Sequence, residues 1–152
     1  MNKFTDESVF KEFLLSARQV CREIEELDLG KTQSLLSALI WLLYNADKLA
    51  HISIEFLDDD PNLETTLPNS LSSIPNGLVF QVVFDPLNPN SLCAASLKDS
   101  LGDIYQSLKS GIEMLDKNPK SRIAVFGQWR LEYQTHWGRH LIDVVRFLFL
   151  CK

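Results

Sequence analysis

The sequence predicts an all-α protein: four main helices in a bundle, with an irregular proline-rich excursion over about residues 51–95 between the second and third. Three observations carry this. Apolar residues recur at intervals of three and four along several long stretches, which is the period of a helix buried on one side. Five of the six prolines fall between Pro61 and Pro89, and the four helical stretches lie outside that interval. With 152 residues and 45% hydrophobic content, the chain suits one domain with its own core, taken here as 1–152.

The first helix is written by Phe10, Phe13, Leu14, Ala17, Val20, Cys21, Ile24 and Leu27, which draw one stripe. Thr5 or Asp6 is the expected N-cap and Gly30 the stop. A second helix is expected from about Thr32 to Leu49; it is apolar nearly all round between Leu35 and Tyr44, so it should sit deep. In the excursion, turn signals stand at Pro75-Asn76-Gly77 and at Asn88-Pro89-Asn90-Ser91. Between them Gly77 to Phe84 fits a strand or a helical turn by periodicity, and a short helix is expected because no partner strand is evident. Ser96 to Asp99 reads as a capping box with Asp for Glu. Behind it Leu97, Leu101, Ile104, Tyr105, Leu108, Ile112 and Leu115 form the third stripe, ending at Asn118-Pro119. The last helix should run from Lys120 or Ser121 to about Leu150.

Charge and cysteine usage narrow the classes. Fifteen Lys and Arg against twenty Asp and Glu leave a net charge of −5, which argues against a nucleic-acid partner. The longest apolar run, Leu35 to Tyr44, is half the length a bilayer span needs, so no membrane association is expected. Three cysteines without a C-x-x-C pair fit free thiols in a reducing cytoplasm. Asp58-Asp59-Asp60-Pro61-Asn62 fails as a calcium loop, because the sixth position is Leu63 and the twelfth Asn69; a solvated turn is expected.

The chemistry concentrates on the last helix. On a wheel of ~100° per residue, Val125, Trp129, Tyr133, His136, His140, Val144, Phe147 and Cys151 share one arc, with Glu132, Arg139 and Asp143 on its flank. His136 and His140 are one turn apart and can hold one divalent ion together. A third ligand must come from another helix, and His51 is the remaining histidine. Against that stands a metal-free polar-aromatic cluster of Asp103, Tyr105, Trp129, Glu132, Tyr133, Trp137 and Asp143, with the histidines hydrogen-bonded inside the core. Asp103 is placed to reach across the bundle and orient one imidazole.

The stretch from Ser96 to Tyr105, followed by Trp129 and His136-Trp137-Gly138-Arg139-His140, resembles the uncharacterised bacterial family of domain-of-unknown-function number 5063. That resemblance spans nearly the whole chain and implies an all-helical bacterial protein with no assigned activity. A slighter likeness is to DinB-like metal-binding bundles, in which a His on the second helix joins H-x-x-x-H on the last, the order of His51, His136 and His140. Two functions follow. The first is a non-catalytic bundle with a structural or protein-binding role and no cofactor; its apolar end from Val144 to Leu150 would be covered by a protein partner or a homodimer. The alternative is a metal-dependent hydrolase or transferase of the DinB-like kind, with zinc or nickel at His51, His136 and His140.

Overall fold

Helix α1 (Lys3–Glu25) buries Phe10, Phe13, Ala17, Val20, Cys21 and Ile24, the stripe its spacing dictates. In the computed structural model, which describes residues 3–54 and 65–151, this helix begins at Lys3, before the expected caps. A loop braced by Asp28, whose carboxylate accepts from the Gly30 N–H at 2.9 Å, leads into helix α2 (Gln33–Ala50). Leu35, Leu36, Leu39, Leu42, Ala46 and Leu49 of α2 are buried, but Ile40, Trp41 and Tyr44 face outward. The expectation that α2 sits deep is therefore corrected. One face of this helix packs and the face with Ser37, Ile40, Trp41, Tyr44 and Lys48 is exposed, where Lys48 lies over the Tyr44 ring, 4.2 Å from its centre.

Residues 77–84 are not helical. Strand β1 (Val79–Asp85) pairs antiparallel with strand β2 (Asn88–Ser96), in the register Phe80↔Ala95 and Val82↔Cys93. The partner strand includes the Asn88–Ser91 stretch, whose turn signals concealed it. Asp85-Pro86-Leu87-Asn88 makes the reversal, and Ser91 Oγ closes it by donating to the Asn88 carbonyl at 2.6 Å. Alternate residues Phe80 and Val82 are more covered than Val79, Gln81 and Val83, the period of a half-buried strand. A two-stranded ribbon is marginal alone; here Phe80 stacks on Phe147 of the last helix, ring centres 4.9 Å apart.

Strand β2 runs straight into helix α3 (Leu97–Lys117), whose first turn is capped by Ser96 Oγ accepting from the Asp99 N–H at 3.2 Å. Asn118 ends α3 ahead of Pro119, and a short 3₁₀ turn over Pro119–Ser121 leads to the last rod. That rod comprises helix α4 (Arg122–Glu132), a π turn (Tyr133–Trp137) and helix α5 (Gly138–Leu150), all with helical backbone at the joints. Gly111 lets α4 approach α3: a Cβ there would lie 2.5 Å from the Trp129 indole, whose N–H donates to the Ser107 carbonyl at 2.9 Å. Phe10, Phe13, Phe126, Trp129 and Trp137 form the aromatic centre joining α1 to the last rod. Val144 and Leu148 are buried in α5, whereas Phe149 and Leu150 are exposed in this chain. No described helix is long and apolar enough to cross a membrane. The Asp58–Asn62 turn lies outside the described residues.

Candidate metal centre

The π turn decides where the histidines point. The Gly138 N–H donates to the Tyr133 carbonyl, five residues back rather than four, so one extra residue is wound into the rod. Side chains beyond it are rotated by about one residue step relative to a uniform helix. The buried stripe runs Val125, Trp129, then Trp137, Leu141, Val144 and Leu148. The uniform wheel put His136, His140 and Phe147 on that line. Trp137 occupies the core position expected of His136, and both histidines move to the border of the core. Their side chains are 51% and 27% exposed. Gly138 makes the turn feasible, since a Cβ there would collide with the Tyr133 carbonyl and lie 2.9 Å from the Tyr133 ring.

Facing them, α3 presents Ser100 and Asp103, one turn apart. His140 Nε2 lies 3.3 Å from Asp103 Oδ2, and His136 Nε2 lies 3.7 Å from the same oxygen. The imidazoles meet edge to face, centres 5.1 Å apart. At the far side of the His140 ring, Nδ1 is 3.2 Å from Ser100 Oγ. Burial holds His140 below the usual imidazole pKa; Asp103 opposes this and His136 reinforces it, so the ring is neutral at pH 7. A neutral ring bonded to Ser100 at one nitrogen offers the other as a ligand.

Asp103, His136 and His140 each contribute one donor atom, and the three atoms lie within 4.8 Å of one another. Ligands ~2.1 Å from a tetrahedral ion stand about 3.4 Å apart. The Asp103–His140 separation of 3.3 Å and the Asp103–His136 separation of 3.7 Å both lie near that value. Ser100, His140 and Asp103 also line up as a hydroxyl, an imidazole and a carboxylate. Ser100 is only 1% exposed, so its hydroxyl faces the His140 ring and not solvent.

The other expected residues are dispersed. His51 sits at the exposed C-cap of α2, where its Nδ1–H donates to the Asp47 carbonyl at 2.7 Å; it is not in the cluster, and Asp103 takes the third place. Tyr105 turns toward α1, its hydroxyl 3.3 Å from Glu25 Oε1, which also takes Lys109 Nζ at 3.1 Å. Glu132 accepts from Gln128 at 2.8 Å. Tyr133 packs on Trp137 at 5.1 Å, and the buried Trp137 N–H has no hydrogen-bond partner among the described residues. Asp143 lies beside His140 and lines a cavity under the hairpin; burial raises its pKa against the pull of His140. The single polar-aromatic cluster expected from the sequence is thus split among separate places. Ser100 was not among the expected site residues. Its signal was its spacing: it lies three residues before Asp103, on the same helix face.

These features define a helical bundle carrying two histidines and one carboxylate at the border of its core. The chain belongs to the family of the domain of unknown function DUF5063, whose model matches residues 5–152. No curated protein and no solved structure matches it.

Proposed function

We propose that this protein binds one divalent transition-metal ion of the zinc class through Asp103, His136 and His140, leaving coordination positions open on the solvent side. The observation that carries the reading is the convergence of three donor atoms from two helices within 4.8 Å, with the His140 ring held from its other side by Ser100. Two imidazoles and one carboxylate suit zinc, nickel or ferrous iron, and fewer than four protein ligands is the pattern of a centre that handles water or substrate. A bound ion there would lower the pKa of a coordinated water and polarise a substrate oxygen, the chemistry of metal-assisted hydrolysis or group transfer. A purely protein-binding role is the second reading, favoured by the outward-facing Ile40, Trp41 and Tyr44 of α2.

The test is equilibrium dialysis of protein purified without a histidine tag against zinc and nickel, followed by elemental analysis. One ion per chain is expected for the native protein, and much less for Asp103→Asn and for His140→Asn. Equal, substoichiometric metal in all three proteins would overturn the proposal. His51→Ala should bind as native does.

A further inference from the structure

A cavity of about 240 Å³ lies between β1 and α5, and its nearest approach to the donors along α5 is Asp143, three residues after His140. Phe80 and Val82 wall it from the hairpin, and Asp143, Arg146, Phe147 and Leu150 from the helix. His140, Asp143 and Phe147 follow one another at steps of three and four on α5, so they form one continuous surface stripe. By the rise of a helix, that stripe carries the surface about 10 Å from the imidazole to the Phe147 ring. Asp143 belongs to both places: it is one turn from His140 and it lines the cavity. Beyond Asp143 the walls are mainly apolar and include Phe80 and Phe147, whose rings stack on each other.

We infer that this cavity is the substrate side of the metal centre, and that it takes the phenyl or short alkyl body of a small molecule whose polar head is held at the ion. The inference rests on the metal reading above. Three features select that occupant. The cavity is smaller than the ~300–1,000 Å³ of sites for drug-sized ligands, which limits the body to a single ring or a short chain. Its aromatic wall favours apolar or aromatic contact, and Asp143 and Arg146 supply polar groups on the helix side. One donor, His140, lies on the same α5 stripe as Asp143 and Phe147 of the cavity, so one extended molecule can reach from that imidazole into the cavity.

Two hydroxamates test this on the full zinc-loaded chain, since both chelate the ion through the same head and differ in the body. By calorimetry, 4-phenylbutanehydroxamate should bind roughly ten- to a hundredfold more tightly than acetohydroxamate, the gain expected from burying a ring. Phe147→Ala should reduce that ratio, and so should Leu150→Trp, which fills the cavity from an exposed position. Measuring a ratio cancels any change in zinc affinity itself. Equal affinities for the two probes in the native protein would overturn the inference while leaving the metal centre standing, as would a ratio untouched by Leu150→Trp. Failure to take up zinc at all would overturn the metal reading and this inference with it.

Discussion

Ser100 is a small residue with a defined task. Its hydroxyl can donate to or accept from His140 Nδ1, so it can hold the ring in either tautomer, and Ser100 is itself buried. Removing such an outer partner of a ligating histidine lowers metal affinity about 10–100-fold. Ser100→Ala should therefore weaken zinc binding by that factor in a competition titration, and Ser100→Thr should restore most of it. An unchanged Ser100→Ala affinity would show that Ser100 does not orient the ring. The thiols give a second expectation at this scale. Burial pushes the Cys21 thiol up to about 12, so at pH 8 it has almost no thiolate, while Cys93 and Cys151 are exposed. A disulfide reagent should label two thiols quickly in the native protein and the third only after unfolding. Three fast thiols would contradict the packing of α1 against α3.

The π turn is the element on which the site depends. Gly138→Ala places a methyl group against the Tyr133 carbonyl, and the helix must either distort or lose the extra residue. The expected cost is about 1–3 kcal/mol in denaturant melts, with loss of zinc binding, because a uniform helix would return His136 toward the core position that Trp137 holds. A variant that is fully stable and binds zinc normally would argue that the turn does not set the histidines. The same element explains what could be read from the chain. The stripes of α1 and α3 were readable because each helix keeps a constant period against one core, and the Ser96 cap and Asn118-Pro119 stop are local chemistry. The histidine positions were not, since a wheel of fixed angle accumulates no error until a residue is inserted, and then every later side chain is displaced. A glycine inside a long helix, costing about 1 kcal/mol relative to alanine, was the available hint. The hairpin was missed for a different reason. Strand β2 is short of large apolar residues, and its one proline and two asparagines read as turn, while pairing with β1 is a long-range choice that local pattern does not encode.

At the scale of the molecule, the candidate ion would tie together parts of the chain that only folding brings near. Asp103 comes from α3 and the histidines from the last rod, thirty or more residues away, so the unfolded chain cannot present the same three donors. Binding that favours the folded state in this way stabilises it by about 2.7 kcal/mol when free metal reaches one hundred times the dissociation constant. For a chain of 152 residues each kcal/mol moves the melting temperature by roughly 2–4 °C, so zinc should raise it by roughly 5–10 °C. Excess chelator should reverse the rise. Asp103→Asn keeps the size of the side chain but removes its charge, so its melting temperature without metal should stay near the native value while the zinc-dependent rise largely disappears. His51→Ala should leave the rise intact, because His51 stands at the C-cap of α2, bonded to the Asp47 carbonyl. A native protein whose melting temperature ignores zinc, under conditions where dialysis shows one ion bound, would mean that the ion sits on a site the unfolded chain also offers. The three donors from α3 and the last rod would then not be that site.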